Sequence, residues 1–298
     1  MTTNARLRAF VTLADSGSVR AAAQRLVLTE SSVSSAIKAL ADEVGVPLVD
    51  RHGRGVRLTA AGERYADYAR RILGLHDEGI RAARCESDPE HGAIRLGAVT
   101  TAGEHLLPAI LASFCAEHPN IEVGLEVAPR GAVWPMLHRH GVDLVVAGRP
   151  PDGLDAAVRA VSPNTLVVVG HPELAATFSP SRATWLLREP ESGMRATTIA
   201  LLSAALDIAP PQMTLGSHGA VVAAAVVGLG VTLVSRQAVQ AHLHAATLVE
   251  LPVQGTPMER PWHAVSHPET TSITAMLVEH MLGHPQQDWQ PAGSWSGT

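Results

Sequence analysis

The sequence predicts an α/β protein whose amino-terminal part is all helical, and three observations lead to this prediction. Residues 4–58 contain short amphipathic helices, residues 60–84 form one long helix, and from residue 93 short apolar runs alternate with helices. The chain has 298 residues and 46% hydrophobic content, which is enough for two or three separate cores. We therefore expect more than one domain.

The charge is divided unevenly along the chain. Residues 1–84 carry 13 Lys and Arg against 9 Asp and Glu, whereas the remainder carries 10 against 19. This asymmetry is typical of a nucleic-acid module joined to another module, although solvated surface charge alone also produces it. No secretory signal or membrane-spanning run is present, and Cys85 and Cys115 predict no disulfide framework, so we expect a cytoplasmic protein with reduced thiols.

Three short helices are predicted at the start of the chain. The first has an apolar face at helical spacing, made of Leu7, Phe10, Val11 and Ala14. The second, residues 19–26, is rich in alanine and follows the turn Ser16-Gly17-Ser18. The third follows Thr29, a good N-cap residue, and its predicted buried stripe is Val33, Ile37 and Leu40.

The other face of the third helix carries hydroxyl groups and the only lysine of the chain. Small side chains in the second helix allow the close packing that a helix-turn-helix needs, with the third helix in the major groove. Hydroxyls and lysine suit phosphates and base edges there. The candidate DNA-contacting residues on this helix are Thr29, Ser31, Ser32, Ser34, Ser35 and Lys38. The alternative is an ordinary helical subdomain with a polar face.

The segment LVDRHGRGVRLT predicts a hairpin with a basic tip, in which Arg51 and Arg54 are further candidate phosphate contacts. Thr59 then caps a helix over residues 60–84, whose apolar residues recur every three or four positions. Such a helix has no partner in its own small domain, so we expect it to pair with the same helix of another subunit. The segment 87–92, with proline and glycine, ends it.

From residue 93 the alternation predicts an α/β domain with a mostly parallel sheet. Three hydroxyl-bearing segments follow a strand and precede a helix, where free amides at the helix N-terminus and ligand crevices are found. They predict a site for a small anion, for example a carboxylate; the alternative is that they only cap their helices. The candidate ligand-binding residues are Thr100, Thr101, Ser192, Gly193, Met194, Arg195, Ser217 and His218.

Catalytic and metal chemistry is not predicted. Fifteen histidines include close pairs such as His280 and His284, but no cysteine or carboxylate cluster joins them in sequence. No Gly-x-Ser-x-Gly elbow and no ordered set of Ser, His and Asp stands out. We therefore predict no catalytic residue, no metal ligand and no cofactor.

The stretch from LRAFVTLADSGSVRAAAQRL through DRHGRGVRLTAAGERYADYARRIL resembles the winged helix-turn-helix and linker helix of LysR-type transcriptional regulators. It shares the GS turn, the AAxxL helix, GVPL, the arginine wing and TxAG. The family's wing arginine matches Arg51. The reading helix departs from the family pattern, with Glu30-Ser31 where members carry Gln-Pro and Ser35-Ala36 where they carry Arg-Gln, which leaves fewer long donors for base edges.

The resemblance implies a domain order and a function. It places a winged helix-turn-helix at 1–59 with its helix-turn-helix at 18–37, a dimerising linker at 60–88, and a two-lobed α/β effector domain at 92–285, built like type II periplasmic solute-binding proteins. Lobe I would hold 92–161 and 267–285, lobe II 162–266, and residues 286–298 would be a disordered tail. Met194 stands where the family carries threonine.

As a LysR-like regulator, the chain would bind an inverted-repeat operator in double-stranded DNA as a homodimer or homotetramer. A small effector, an anion by the reasoning above, would favour one lobe arrangement and thereby change DNA bending and RNA polymerase recruitment. The rival hypothesis is a two-lobed small-molecule binding protein or enzyme whose amino-terminal part serves only for assembly.

Overall fold

A computed structural model describes residues 3–52, 55–88, 90–206, 209–285 and 287–295, with side chains for all of these except residues 51, 52 and 86. The chain forms two compact units, Met1–Ala83 with His138–Gly141, and Arg84–Leu137 with Val142–Thr298. No described helix is both long enough and apolar enough to cross a lipid bilayer.

The first unit begins with three helices, α1 (Thr3–Ser16), α2 (Val19–Leu26) and α3 (Glu30–Val44). Ser18 caps α2 by accepting from the Ala21 amide, and Thr29 caps α3 by accepting from the Ser32 amide at 3.2 Å. Ala22 and Ala23 are buried in the core that the three helices share. These helices therefore begin and pack as the sequence predicts.

The turn between α2 and α3 depends on Val27. Its backbone lies in the left-handed region at φ 55°, and its N–H bonds to carbonyls of the last turn of α2. This conformation costs a residue with a Cβ about 1–2 kcal/mol, and branching at Cβ makes valine a poor choice there. The side chain of Val27 is nevertheless 90% exposed.

The hairpin is built from β1 (Val49–His52) and β2 (Gly55–Leu58), which pair antiparallel. Its tip, residues 53 and 54, lies outside the described residues. Thr59 joins the hairpin to the next helix, because its hydroxyl donates to the Pro47 carbonyl at 2.8 Å and accepts from the Gly62 amide at 2.9 Å.

Helix α4 (Ala60–Ser87) differs from the prediction of a single unpartnered stripe. Ala66, Ala69 and Leu73 are buried in the core of the first unit. A second stripe is exposed, with Tyr68 54%, Ile72 50% and Leu75 57% accessible. A helix of this length touches more than one neighbour, so part of its apolar surface goes to its own domain and the remainder stays open.

The second unit contains strands and helices in alternation. Its helices are α5 (Leu107–Glu117), α6 (Arg130–His138, which ends in the first unit), α7 (Gly193–Ala205), α8 (His218–Val226), α9 (Gln240–His244) and α10 (Ser272–Gly283). Its strands are β3 (Gly92–Ala98), β4 (Ile121–Val127), β5 (Leu144–Ala147), β6 (Ala157–Ser162), β7 (Thr165–Gly170), β8 (Trp185–Leu187), β9 (Gln212–Thr214), β10 (Thr232–Ser235), β11 (Val249–Glu250), β12 (Met258–Glu259), β13 (Trp262–Ser266) and β14 (Gln290–Pro291).

These strands form two lobes. The sheet of the first lobe has the order β14-β6-β13-β5-β3-β4, and β3 runs parallel to β4 and β5. In the second lobe β10, β11 and β12 all pair antiparallel with β7, while β8 and β9 pair parallel. The prediction of a mostly parallel sheet is therefore wrong, because β7 runs against β10, β11 and β12, and β13 runs against β5 and β6.

The second crossing between the lobes also lies elsewhere than predicted. Strand β13 pairs with β5 and β6 in the first lobe, so the chain crosses back at residues 260–261 rather than 266–268. Lobe I accordingly begins again before β13, and lobe II ends near Glu259. The apolar run of β13 is compatible with either sheet, and only its pairing decides between them.

The predicted disordered tail is a further correction. Trp289 is buried in the core of the first lobe, and Gln290-Pro291 pairs with β6 as strand β14. Residues 286 and 296–298 lie outside the described residues. A polar, proline-containing composition favours disorder, but one aromatic anchor and an open sheet edge are enough to order a short segment.

Candidate nucleic-acid interface and ligand pocket

Helix α3 presents a polar face opposite its buried stripe of Val33, Ile37 and Leu40. Ser34, Ser35 and Lys38 are exposed on it, and their side chains make no hydrogen bond or ion pair within the part of the chain that the structure describes. They are therefore available to an external partner.

The hydroxyl groups at the start of α3 are partly engaged with one another. Thr29 lies 3.0 Å from Ser31 and 2.8 Å from Ser32, oxygen to oxygen. Thr29 also caps the helix, so capping and an outward contact can be made by the same hydroxyl cluster. Of the two predicted wing contacts, the side chain of Arg51 and the whole of Arg54 lie outside the described residues.

In the second unit a pocket lies between the two lobes, with an empty volume of about 640 Å³ that includes open solvent at its mouth. It lies beyond the carboxyl ends of the parallel strands β3, β4 and β5, where α/β sheets bind ligands. Its walls are formed by Val99, Thr100, Thr101, Pro129, Arg130, Gly148, Asn164, Leu166, Arg188, Glu189, Ser192, Gly193, Met194, Arg260 and Trp262.

Five predicted residues line this pocket, namely Thr100, Thr101, Ser192, Gly193 and Met194. Ser192 is buried at the N-cap position of α7, yet its hydroxyl makes no capping hydrogen bond among the described residues. The amides of the first turn of α7 are thus left for another acceptor. Thr101 likewise precedes a π-helical turn, residues 102–106, without capping it.

The other three predicted residues lie outside the pocket walls, and the structure gives each a structural contact. Arg195 donates to the Arg188 carbonyl at 2.8 Å and to the Thr214 hydroxyl at 2.9 Å. Ser217 caps α8 by accepting from the Ala220 amide. His218 is buried with its ring centroid 5.1 Å from that of His105, so of these two residues only Ser217 follows the capping alternative.

Three arginines that the sequence analysis did not select converge on the pocket. A methyl at Gly148 would lie 3.4 Å from Arg130 Nη1 and 4.0 Å from Arg260 Nε, so both guanidinium groups flank this glycine. Burial and the nearby Arg130 charge lower the pKa of Arg260. Neither arginine has a carboxylate partner within the described ranges. Two cations held together without a counter-charge favour an anionic ligand.

The third arginine is neutralised. Arg188 is buried and donates two hydrogen bonds to Glu189, at 2.7 and 2.6 Å. This hydrogen bonding lowers the pKa of the Glu189 carboxyl group. The pocket thus contains one arginine that is paired with Glu189, and two arginines, Arg130 and Arg260, that have no carboxylate partner among the described residues. Its net charge is positive.

Arg260 also belongs to the segment that joins the lobes. Its amide donates to the Asn164 carbonyl at 2.7 Å, and the Asn164 side chain donates back to the Arg260 carbonyl at 2.8 Å. The Arg260 guanidinium donates to the hydroxyl of Thr197 on α7 in the second lobe. A ligand bound to Arg260 would therefore act directly on the two crossing strands.

A sequence signal for part of this cluster existed. Arg130 begins the helix after β4, and Gly148 directly follows β5. Thr100 was chosen as a candidate because it, too, follows the end of a strand. Arg260 follows an edge strand in the other lobe and carried no such signal.

Comparisons with known proteins match both parts of the chain to one family. The family model described as "LysR substrate binding domain" matches residues 87–283, and that described as "Bacterial regulatory helix-turn-helix protein, lysR family" matches residues 5–63. The HTH-type transcriptional regulator CfxR of Cupriavidus necator is 32% identical to this chain, and the matched region covers 92% of this chain and 90% of the CfxR sequence.

Solved structures share the fold. The crystal structure of CbnR, a LysR family transcriptional regulator, has a TM-score of 0.67 and 21% identity, covering 94% of this chain and 98% of its own. The regulatory domain of Synechocystis CcmR, in complex with 2-PG, has a TM-score of 0.56 and 23% identity, covering 63% of this chain and 94% of its own.

Proposed function

Because this chain belongs to the LysR family of transcriptional regulators, we propose that its interlobe pocket binds a small anionic effector and that α3 reads an inverted-repeat operator. The chain is a DNA-binding regulator with an effector domain, and the rival hypothesis of an enzyme whose amino-terminal part serves only for assembly is rejected.

One observation supports the proposal that the effector is an anion: Arg130 and Arg260 flank Gly148, and neither has a carboxylate partner among the described residues. Around them lie the hydroxyls of Thr100 and Thr101 and the N-terminus of α7 at Gly193, all of which can donate hydrogen bonds to an anion. The CcmR regulatory domain, which has the same fold, binds 2-PG, and this supports a small ligand in such a domain.

The effector would act through unequal affinity for two lobe arrangements. Thr100 and Arg130 belong to the first lobe, Gly193 belongs to the second, and Arg260 lies on the crossing segment. An anion that contacts all of them stabilises the arrangement in which they are close. The change at the crossing strands would then alter how the DNA-binding domains of an oligomer engage their operator, with DNA bending and RNA polymerase recruitment as the output.

The experiment is a thermal-unfolding titration of the full-length protein with 2-PG, inorganic phosphate and a neutral sugar of similar size. A bound anion at about 100 times its Kd stabilises the folded state by about 2.7 kcal/mol, so the midpoint should rise with 2-PG or phosphate but not with the sugar.

Arg260→Gln should abolish this rise, whereas Arg182→Gln, which removes an exposed arginine that does not line the pocket, should keep it. An equal response of Arg260→Gln and the parent protein would contradict the proposed site.

We also propose that the exposed stripe of α4, made of Tyr68, Ile72 and Leu75, forms the homodimer contact. These residues follow a four-three spacing on one face, which is the spacing of a two-helix seam. A tetramer would assemble from two such dimers.

A further inference from the structure

A cluster of polar side chains lies where the carboxyl ends of α5 and α10 meet in the first lobe. We name it the α5–α10 cluster. It consists of Ser113 and Glu117 on α5, and of His280 and His284 at the end of α10, and all four line one open surface groove. No carboxylate lies near the histidine pair in sequence, but the fold brings Glu117 to His280 across 163 positions of the chain.

His280 is held between two oxygen atoms. Its Nε2 lies 2.7 Å from the Ser113 hydroxyl, and its Nδ1 lies 3.2 Å from Glu117 Oε2. The Ser113 hydroxyl donates to the Ile110 carbonyl at 3.0 Å, so towards His280 it accepts a hydrogen bond from Nε2–H. In a neutral imidazole the other nitrogen, Nδ1, then carries a lone pair.

This lone pair faces an acceptor. A carboxylate offers only lone pairs, so Glu117 and a neutral His280 need a cation between them, either a proton on Nδ1 or a metal ion. A tetrahedral metal ion bound at about 2.1 Å to a nitrogen and an oxygen holds these two atoms about 3.4 Å apart. The observed separation of 3.2 Å therefore admits a metal ion with little movement.

His284 is within reach as a third ligand. It is one helical turn beyond His280, and the centroids of the two rings lie 6.1 Å apart. Its Nδ1 is buried and has no hydrogen-bond partner in the part of the chain that the structure describes. Two imidazoles on one tetrahedral ion have centroids about 5 Å apart, so the His284 ring needs to move by roughly 1 Å.

The backbone also favours a cation at this place. Helix α5 ends at Glu117 and α10 ends at Gly283, so the carboxyl ends of two helices lie side by side. Each such end carries about half an elementary negative charge. The groove is lined by no described lysine or arginine that would neutralise them. The side chain of Glu117 is 62% exposed, which leaves a path for an ion from solvent.

We propose that the α5–α10 cluster binds a divalent transition metal ion of the zinc type through Glu117 Oε2, His280 Nδ1 and a ring nitrogen of His284. Two histidines and one glutamate, with water in the fourth position, are an established donor set for zinc. Ser113 is a positioning residue, because its hydroxyl fixes the ring and the tautomer of His280 without touching the ion. The ion clamps the ends of α5 and α10 together.

The test uses the full-length protein, stripped of metal and titrated with Zn²⁺ against a chromophoric chelator that reports affinity and stoichiometry. The parent protein should bind one tight equivalent of Zn²⁺ per chain. Glu117→Gln and His284→Ala each remove a ligand and should weaken this equivalent by more than about 100-fold. Ser113→Ala should weaken it by about 10- to 100-fold, and Ser113→Thr, which keeps the hydroxyl, should restore it.

Glu122→Gln and His244→Ala are the matched controls, because both residues are exposed and neither lines the groove. Both variants should bind Zn²⁺ as the parent does. Circular dichroism of each metal-free variant separates a folding defect from a lost ligand, and the exposed Glu117 decides if His284→Ala does not fold. Equal affinities of Glu117→Gln and Glu122→Gln would overturn the site. Absence of a tight equivalent in the parent would also overturn it and would assign the cation beside Glu117 to a proton.

Discussion

Gly62→Ala tests the junction between the hairpin and α4. A methyl at Gly62 would overlap the Leu48 carbonyl oxygen and lie 2.9 Å from the Leu48 carbonyl carbon. Both groups are backbone, so the helix start must move by roughly 1 Å, since ordinary carbon contacts begin near 3.4 Å. This movement also strains the hydrogen bond from the Thr59 hydroxyl to the Pro47 carbonyl.

The magnitude follows from three contributions. Overpacking costs about 1–3 kcal/mol, and a backbone clash belongs at the upper end. A weakened hydrogen bond costs about 1 kcal/mol, and alanine returns about 1 kcal/mol of helix propensity relative to glycine. The free energy of unfolding of the first unit should therefore fall by about 2–3 kcal/mol.

The assay is denaturant unfolding followed by far-ultraviolet circular dichroism at several protein concentrations, which separates folding from association. Gly79→Ala is the control on the same helix, because a methyl there meets nothing within 4 Å. It should be neutral or stabilising by up to about 1 kcal/mol. If Gly62→Ala were as stable as Gly79→Ala, the close approach of α4 to Leu48 would not explain why glycine occupies position 62 of the TxAG motif.

Further predictions concern both units. Burial, and then the charges of His105 and Arg188, lower the pKa of His218 to about 4. In the unfolded chain His218 therefore takes up a proton near pH 6.5, whereas in the folded chain it stays neutral down to about pH 4. The free energy of unfolding should fall by about 2 kcal/mol between pH 7 and 5. His218→Gln should flatten this loss in unfolding curves measured at each pH, and an unchanged slope would refute the assignment. Asn164→Ala leaves buried partners of the lobe crossing unpaired, so denaturant unfolding should show a loss of about 2–4 kcal/mol; a loss under about 1 kcal/mol would argue against the crossed hydrogen bonds. Trp289→Ala should destabilise the first lobe by about 3–5 kcal/mol, measured in the same way, and a neutral result would restore the disordered tail. Leu75→Glu should shift analytical ultracentrifugation from dimer towards monomer, and an unaltered dimer would place the contact elsewhere.

The candidate DNA surface could largely be predicted from the sequence, because it depends on local signals. Helical spacing placed Val33 and Ile37 inward, and the same spacing placed Ser34, Ser35 and Lys38 outward. The left-handed backbone of Val27 left no such signal, since valine is not a residue that marks that conformation.

The ligand pocket was predicted only in part. Rules on strand ends found Thr100, and applied to every parallel strand they would have found Arg130 and Gly148. The involvement of Arg260 follows from the lobe crossing, which the sequence analysis placed several residues too late.

The sequence by itself determined the three amino-terminal helices with their apolar faces, the hairpin and the long helix α4, because periodicity and capping act between near neighbours. Only the tertiary structure decided that β13 pairs with β5 and β6, that Trp289 orders the tail, and that Arg130 and Arg260 meet at Gly148. Each of these depends on contacts between residues far apart in sequence. Such contacts are selected by the packing of whole sheets, for which short-range residue patterns carry little information.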